Sequence, residues 1–326
     1  MVQLLKVHGS ENQFFILDQT QLDTQLTDTE LSQLGIQLCN PENGILDGAD
    51  GVLVVNTSTN SEALAQMRVI NADGSEAKMC GNGLRTVSRY LSEKYNEPSF
   101  KIETLEANLD VKKSADLAIG VPAFSVQIKP ISFEAKDLPF SYKGMNEMIN
   151  EEVPEFIMGQ TFTSIAVPNP HLISFVGHIN EKELGILGKT LNSPNEYFPE
   201  GVNVSFAEIR GDNELFVQTY ERGVGFTNAC GTGMSATSLA FALLHKDKFT
   251  ESDDISVYNP GGMVKTHITL GNTKEQSDIH LIGNATFTHT LDIDEADLHS
   301  LNLNKFDIKS TGEESLYQDF VSEIVK

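Results

Sequence analysis

A cysteine followed by a glycine-rich turn occurs twice in this chain, each time directly before a helical pattern. Cys80 opens the sequence CGNG and Cys230 opens CGTG, and they lie 230 − 80 = 150 residues apart in a chain of 326 residues. Leu84, Val87 and Leu91 have helical spacing after the first copy, and SATSLAFALLH follows the second. The repetition predicts two similar α/β halves, each with a cysteine at the start of its central helix.

Short strands account for much of the remaining pattern. They are rich in β-branched and aromatic residues and are bounded by Gly, Pro, Asn or Asp, which is typical of strands. The predicted strands are Val52–Val55, Ile165–Val167, Leu172–Val176, Leu215–Tyr220 and Ile255–Tyr258. The helix from about Met234 to His245 is apolar nearly all round, so we expect it inside a domain, wrapped by sheet.

The charge and the cysteine count restrict the partners and the compartment. The chain has 46 Asp and Glu against 23 Lys and Arg, a net charge of −23. Such a field repels phosphate backbones and anionic membrane surfaces, so neither nucleic acid nor a membrane is an expected partner. Three cysteines make no disulfide framework, the N-terminus has no signal-peptide pattern, and no apolar run approaches the roughly 18 residues of a membrane span. We therefore expect a cytoplasmic protein.

The start of a helix changes the chemistry of a thiol. Unpaired N–H groups and the positive end of the helix dipole lie there, and both are expected to lower the pKa of Cys80 and Cys230 toward neutral pH. The adjacent glycines let an anion approach the backbone amides. Two such sites suit inversion of a carbon beside a carboxylate: one cysteine removes a proton as thiolate and the other delivers one as thiol. The pattern thus indicates a cofactor-independent amino-acid epimerase.

Other interpretations of the cysteines explain less of the sequence. A zinc site is not expected, because Cys80 and Cys230 are far apart and have no His or Cys nearby at ligand spacing. A papain-like nucleophile would leave the second CGTG unexplained. Cys39, in IQLCNP, is expected to be a small buried hydrophobic residue. Two alternatives stay open: a racemase of another amino acid, such as proline or hydroxyproline, and a non-catalytic amino-acid-binding or redox-sensing protein.

The segments NADGSEAKMCGNGLR and ERGVGFTNACGTG, with HGSENQFF near the start, resemble the diaminopimelate epimerase family. The resemblance extends to about Phe287. It implies an α/β (α+β) fold of two pseudo-symmetric domains, each a mostly antiparallel sheet or barrel wrapped around a central helix. The N-terminal domain would comprise residues 1–121 with a returning segment from about 283 to 326, and the C-terminal domain residues 122–282.

The resemblance also implies an activity. It is the epimerisation of LL-2,6-diaminopimelate to the meso form, in lysine and peptidoglycan precursor biosynthesis, without pyridoxal phosphate, any other cofactor or a metal. The expected partner is a small-molecule amino-acid substrate, and a homodimer is left open.

Individual residues acquire roles from the same resemblance. Cys80 and Cys230 are the implied acid–base pair, and His171 and Glu221 are implied to tune their ionisation. The implied substrate-binding residues are Asn12, Asn71, Gly81, Asn82, Asn169, Asn203, Glu221, Arg222, Gly231 and Thr232. These types suit the task, because arginine offers a bidentate fork to a carboxylate and asparagine offers both donors and acceptors.

Several positions depart from the family pattern. Glu11 and Gln13 stand where a glycine and an aspartate are usual, and Pro168 replaces the glycine of the family's GNPH. Gly51 stands where some members have a glutamine that helps to bind the substrate amine, so that contact is not expected from its side chain. Residues after about Asp294 lie outside the resemblance and are expected to form an appended amphipathic segment.

Overall fold

Short strands joined by tight turns run through both units of the computed structural model, which describes residues 1–324. The first unit comprises Met1–Val126 and Gly283–Ile324, and the second comprises Gln127–Ile282. Both divisions fall inside strands, whereas the sequence suggested a first boundary after residue 121. Val325 and Lys326, which end the predicted returning segment, lie outside the described residues.

The elements are numbered along the chain. The strands are β1 (Val2–Gly9), β2 (Asn12–Asp18), β3 (Gly51–Asn56), β4 (Ala65–Asn71), β5 (Glu76–Ala77), β6 (Ser99–Glu103), β7 (Asn108–Lys113), β8 (Ala123–Gln127), β9 (Glu151–Glu152), β10 (Thr161–Ala166), β11 (Pro170–Phe175), β12 (Asn203–Gly211), β13 (Glu214–Glu221), β14 (Gly225–Phe226), β15 (Ile255–Asn259), β16 (Gly262–Thr269), β17 (Asp278–Asn284), β18 (Thr286–Ile293) and β19 (Asp307–Ser310). The α-helices are α1 (Asp28–Leu38), α2 (Gly81–Tyr95), α3 (Glu181–Leu191), α4 (Gly231–Leu244), α5 (Glu295–His299) and α6 (Glu313–Ile324).

The first unit pairs its strands in an almost sequential order. β1 and β2 are antiparallel, β2 and β3 parallel, β3 and β4 antiparallel, and β4 and β6 parallel. β6, β7 and β8 continue as antiparallel neighbours, and the short β5 adds to β4. On the other side of β1, the returning strands β18 and β19 extend the sheet in antiparallel fashion.

The second unit repeats this order. β10 and β11 are antiparallel, β11 and β12 parallel, β12 and β13 antiparallel, and β13 and β15 parallel, while the short β14 adds to β13. β15, β16 and β17 again continue as antiparallel neighbours. The helices repeat as well, since α1 and α3 directly precede the equivalent strands β3 and β12, and α2 and α4 directly follow the short strands β5 and β14. The predicted pair of similar halves is therefore confirmed.

Each unit has one helix buried against several of its strands. In α4 nearly every residue from Gly231 to Ala242 is buried, and this helix packs against β10–β13, β15 and β16. α2 packs against β1–β4 and β7, and its first three turns are buried. The predicted apolar helix inside a domain is confirmed, although it begins at Gly231 rather than near Met234.

A second helix packs on each sheet through leucines three or four residues apart. In α1 these are Leu31, Leu34 and Leu38, and they share a core with Val52 and Val54 of β3. The intervening Leu53 lies against Gly83 at the start of α2. Because successive strand side chains point to opposite faces, β3 separates the α1 core from α2. The second unit has the same spacing in α3, at Leu184, Leu187 and Leu191.

All five predicted strands occur as β3, β10, β11, β13 and β15, with ends that differ by a few residues. The largest discrepancy is in β10, which was predicted over Ile165–Val167 but runs from Thr161 to Ala166. Across residues 1–324, no helix is both long and apolar enough to cross a membrane.

Candidate active site

Cys80 is the N-cap residue of α2, as its sequence context predicted. Its backbone is extended, with φ −143° and ψ 110°, and the next residue begins the helix. The backbone N–H of Gly83 donates to the Cys80 Sγ over 3.4 Å. The sulfur at the N-cap thus accepts a hydrogen bond from one of the N–H groups that a helix start leaves unpaired.

Asn12 links Cys80 to the β1–β2 turn. Its Oδ1 accepts from the Cys80 thiol at 3.7 Å and from the Asn82 Nδ2 at 3.3 Å. Its Nδ2 donates to the Asp50 Oδ2 at 2.5 Å, and the same carboxylate oxygen accepts from the Gln13 backbone N–H at 2.8 Å. Asp50 was not singled out from the sequence, and its place in the acidic turn GADG gave no signal beyond turn chemistry.

Asn71 lies at the end of β4 and is half-buried. Its Nδ2 donates to the Ser75 Oγ over 3.0 Å, a local contact within the turn that leads to Cys80. Gly51, its partner across the strand pair, has no room for a side chain, because a Cβ there would approach the Ile70 carbonyl oxygen to 2.5 Å. The packing therefore favours glycine at this position.

Arg85 is a fully buried cation on the first turns of α2, and sequence analysis missed it. Its Nε donates to the Asn284 carbonyl oxygen over 3.1 Å and its Nη2 to the Ser10 Oγ over 3.1 Å. Burial lowers the pKa of Arg85 to about 10, so the side chain remains charged at neutral pH. The one hint in the sequence was that Arg85 directly follows the apolar Leu84, in a part of α2 that is buried.

Cys230 caps α4 in the equivalent place of the second unit. Its backbone is extended, with φ −117° and ψ 100°, and the residue is buried. The Cys230 Sγ lies 3.7 Å from the Thr232 Oγ1. Gly233 leaves space for the sulfur, because a Cβ at that position would lie 3.2 Å from the Cys230 Sγ and 3.0 Å from the Thr219 Oγ1.

Glu221 is the charged neighbour of Cys230. It ends β13, and its Oε1 accepts from the Thr227 hydroxyl over 2.6 Å. Its negative charge acts directly on the Cys230 thiol. Glu221 therefore lies close to Cys230, and its role in tuning the ionisation of that cysteine stays a prediction.

Arg222 follows Glu221 and is exposed at the surface of the second unit. Its backbone N–H donates to the Asn203 Oδ1 over 2.8 Å, and the Asn203 Nδ2 donates to the Pro170 carbonyl over 3.0 Å. The guanidinium donates through Nη1 to the Glu200 carbonyl over 3.2 Å. Asn203 thus joins the β13 turn to the start of β11, which fixes where the Arg222 side chain leaves the backbone.

His171 is completely buried in β11. Its Nε2 lies 3.1 Å from the Asn169 Oδ1, and its Nδ1 has no hydrogen-bond partner among the described residues. Burial, with the positive charge of Arg222, lowers the pKa of His171 to about 3, so the imidazole is neutral at physiological pH. Asn169 is thereby placed beside His171, while an effect of this histidine on a cysteine stays a prediction.

The structure corrects the expected ionisation of both cysteines. Burial raises the pKa of the Cys80 thiol, and the N–H groups of Gly83 and Asn82 with the charge of Arg85 offset this only in part. Burial raises the pKa of Cys230 well above its usual value, and Glu221 adds to the increase. The sequence argument considered the helix start alone, whereas desolvation of the charged sulfur is the larger effect.

Two groups of the predicted residues come together, one in each unit. In the first unit, Cys80, Asn12 and Asn82 share hydrogen bonds, and the N–H of Asn82 also acts on the sulfur. In the second, Cys230 is grouped with Thr232 and Glu221. Within residues 1–324, no cluster of three or more His, Cys, Asp or Glu side chains is arranged to hold a metal ion.

Each group combines a sulfur, donors at a helix start and a nearby charged side chain. Gly81 and Gly231 are the first residues of their helices. The N–H groups around them are therefore oriented so that they could bind an anion placed at the helix start. A sulfur beside such donors can accept or release a proton while a carboxylate is bound next to it. The local chemistry thus suits proton transfer at a carbon that carries a carboxylate.

Comparisons with known proteins agree on one family. The family model described as diaminopimelate epimerase matches residues 4–120 and 163–288. A protein of Enterococcus faecalis named diaminopimelate epimerase is 50% identical over 99% of this chain and 98% of its own length. One of the same name from Lactiplantibacillus plantarum is 47% identical over 100% of this chain and 99% of its own.

Solved structures share the fold at low sequence identity. A Bacillus anthracis phenazine biosynthesis protein of the PhzF family aligns with a TM-score of 0.62 and 15% identity, over 90% of this chain and 99% of that one. A hydroxyproline epimerase from Agrobacterium vitis, with bound trans-4-hydroxy-L-proline, aligns with a TM-score of 0.53 and 17% identity, over 87% of this chain and 88% of that one. At these identities the similarity establishes the architecture alone.

Proposed function

Because this chain belongs to the diaminopimelate epimerase family, we propose that it converts LL-2,6-diaminopimelate into the meso form, as an isomerase of lysine and peptidoglycan precursor biosynthesis. One observation supports the proposal above the others. Cys80 and Cys230 cap buried helices at equivalent places of two units with the same strand order. The proposal includes a cytoplasmic location and no cofactor, and it leaves a homodimer to be tested by the mass of the protein in solution.

The proposed reaction moves one proton at each face of the α-carbon. The thiolate of one cysteine takes the α-proton and becomes a thiol, and the thiol of the other gives its proton to the opposite face and becomes a thiolate. The sum is inversion of the carbon with no net gain or loss of protons. Exchange with water then returns each sulfur to its starting state. The proposal requires both sulfurs to reach the same α-carbon.

The helix starts supply the donors for the substrate carboxylate. We assign the amides around Gly81 and Asn82, and around Gly231 and Thr232, to this group, which gains negative charge as the α-proton leaves. A preorganised donor of this kind contributes roughly 10²–10³ in rate, or about 3–4 kcal/mol. Such a contribution is needed because the C–H bond of an amino acid is a very weak acid and no cofactor accepts the electrons.

The remaining residues are assigned to orientation of the substrate. Asn12 accepts from the Cys80 thiol and bonds Asn82, so it is proposed to position the reacting end. The far amino and carboxylate groups are assigned to Asn71, Asn169, Asn203 and Arg222. The exposed guanidinium of Arg222 has donors besides the one that bonds Glu200, and a carboxylate takes such donors in pairs. Glu221 and the neutral His171 are proposed to tune the cysteines.

Isotope exchange tests the function directly. Incubation of the reduced protein with diaminopimelate in deuterium oxide is expected to place deuterium at the α-carbon as the LL and meso forms interconvert. Cys80→Ala and Cys230→Ala are each expected to abolish interconversion, because each inversion uses both sulfurs.

Cys39→Ala is the matched control. Cys39 is buried in the α1 core, and burial raises the pKa of its thiol to about 12, so it does not ionise near neutral pH. Its replacement is expected to leave exchange intact. Absence of deuterium in the wild-type product, or exchange that survives loss of either Cys80 or Cys230, would contradict the proposal. Exchange with proline or hydroxyproline in place of diaminopimelate would identify a racemase of another amino acid.

A further inference from the structure

Arg85 is a buried charge whose described hydrogen bonds go to neutral groups. Its side chain has no exposed surface, and its Nε and Nη2 donate to the Asn284 carbonyl and the Ser10 hydroxyl. Its Nη1 has no hydrogen-bond partner among residues 1–324. A buried ion is costly unless an opposite charge accompanies it. A buried arginine in this place therefore indicates a negative charge that forms close to it.

Two glycines make room for the guanidinium next to the helix start. A Cβ on Gly9 would lie 2.9 Å from the Arg85 Nη2 and 2.8 Å from the carbonyl oxygen of Asn82. A Cβ on Gly283 would lie 2.9 Å from the Arg85 Cζ. The guanidinium therefore lies beside the CGNG turn, and strands β1 and β17 approach it only because they lack side chains there. The space is specific to this side chain.

Two ionisable groups of the described chain act on Arg85, the Tyr317 phenol and the Cys80 thiol. Burial raises the pKa of Tyr317, and Glu11 and Glu314 raise it further, so the phenol is neutral at neutral pH. Cys80 is the other group, and the charge of Arg85 favours its thiolate, while Asp50 opposes it. A thiolate at Cys80 is thus the negative charge that suits the buried guanidinium.

We propose that Arg85 is a positioning residue for Cys80: its buried guanidinium is the counter-charge that makes Cys80 ionise more readily than Cys230. The second unit has no equivalent cation, since the fifth residue after Cys230 is Ser235, whose hydroxyl bonds the Gly231 carbonyl within α4. Cys230 instead has the carboxylate of Glu221 beside it. Of the two sulfurs, Cys80 is therefore the one that more readily becomes the base, and Cys230 the one that more readily keeps its proton. The catalytic meaning of this difference rests on the proposed function, whereas the charge difference itself does not.

Thiol alkylation measured at both cysteines in the same sample tests the inference. The wild-type protein is treated briefly with iodoacetamide over a pH series, and modification of Cys80 and Cys230 is quantified by mass spectrometry of their separate peptides. The midpoint of the Cys80 profile is expected to lie below that of Cys230. In Arg85→Met the Cys80 midpoint is expected to rise by about one pH unit or more, as for loss of a nearby opposite charge, while the Cys230 midpoint stays unchanged. In Arg85→Lys, which keeps a positive charge, the Cys80 midpoint is expected to stay close to the wild-type value.

Arg89→Met is the matched control on the same helix. Arg89 is also buried, but its charge already has carboxylate partners, with the Glu313 oxygens at 2.6 and 2.7 Å and the Glu93 oxygen at 2.7 Å. Its removal is expected to leave the Cys80 midpoint in place. Equal midpoints in the wild-type protein, or a Cys80 midpoint that Arg85→Met does not move, would overturn the inference even if isotope exchange is normal. If Arg85→Met does not fold, the wild-type comparison and Arg85→Lys decide. If the Cys80 and Cys230 midpoints differ as expected but no isotope exchange occurs, the proposed function is rejected and this inference is not.

Discussion

Gly233 lies where even one methyl group would disturb the Cys230 sulfur. A Cβ would lie 3.2 Å from that Sγ and 3.0 Å from the Thr219 Oγ1, closer than ordinary contact. We expect Gly233→Ala to lower kcat at least about tenfold, because a small displacement of a reacting group is costly. The free energy of unfolding is expected to hold or increase, since alanine favours the helix over glycine by about 1 kcal/mol. Turnover and chemical denaturation of the same preparation measure both.

Gly177→Ala is the control for this substitution. Gly177 lies in the same unit, and a Cβ there would meet nothing within 4 Å. Its replacement is expected to change neither turnover nor stability appreciably. If Gly233→Ala retains full activity, then the position of the Cys230 sulfur tolerates more movement than the packing indicates.

At the scale of single residues, sequence reasoning found the groups that belong to local motifs. The placement of both cysteines at helix starts depends on adjacent residues alone, so it could be predicted. Asp50 and Arg85 were missed because their contacts, with Asn12 and with Asn284, join segments far apart in the chain. The direction of the thiol pKa shifts was wrong for a related reason, since burial depends on tertiary packing, which a motif does not reveal.

The returning segment contributes elements that tie down the first unit. α5 packs near the start of α1, where the Glu295 carboxylate accepts from the backbone N–H groups of Asp23 and Thr24. α6 buries Tyr317 and supplies Glu313 to Arg89. The segment after about Asp294 was predicted to be appended and amphipathic; its described part is built into the first unit, since Leu298 and Leu303 belong to the α1 core and Tyr317 and Phe320 of α6 are buried.

The contact between α5 and α1 makes stability depend on pH. The His299 Nδ1 lies 2.8 Å from the Glu30 Oε1, and this carboxylate raises the pKa of His299 above its ordinary value near 6.5. A raised pKa in the folded state means that the stabilisation is fully present below pH 6.5 and is lost as the pH rises through the folded-state value. We expect His299→Gln to lower Tm relative to wild type at about pH 6 but not at about pH 9. In a Glu30→Gln background most of this pH-dependent difference should disappear, leaving the smaller contribution of Glu295, and its full persistence there would assign it to another partner.

At the scale of elements, regular patterns could be read and irregular ones could not. β3, β13 and β15 have dense β-branched or aromatic sequence and were predicted within about two residues. α1 and α3 were not predicted, although their leucines repeat every three or four residues. The two-residue strands β5 and β14 exist only through pairing with β4 and β13, a long-range property without a local signal.

The two units share a backbone plan but differ in charge around their cysteines. The repeated order of strands and helices could be anticipated from the duplicated CGxG-helix pattern, because each copy marks the same place in its unit. The parallel pairs β2–β3 and β11–β12 could not, since pairing partners are set by the whole sheet. Divergence of single side chains, such as Arg85 against Ser235, gives equivalent positions different chemistry. A duplicated fold can thereby present two unlike sulfurs.

The net charge of −23 is expected to make the thermal stability of the molecule depend on salt, whereas its activity should depend on salt only weakly. Like charges on a folded surface repel one another, and salt screens them over roughly 10 Å at about 0.1 M. We expect Tm to rise by a few degrees as KCl increases from about 20 to about 200 mM, because screening relieves the repulsion.

The activity should respond less to salt. Diaminopimelate carries two carboxylates and two ammonium groups, so it has no net charge to be repelled, and kcat/KM should change less than about threefold over the same range. Thermal unfolding and initial rates in one KCl series, repeated with choline chloride to exclude a specific cation effect, measure both. A large fall in kcat/KM would mean that the protein acts on a substrate with net charge, and a constant Tm would mean that the acidic groups are already neutralised by their neighbours.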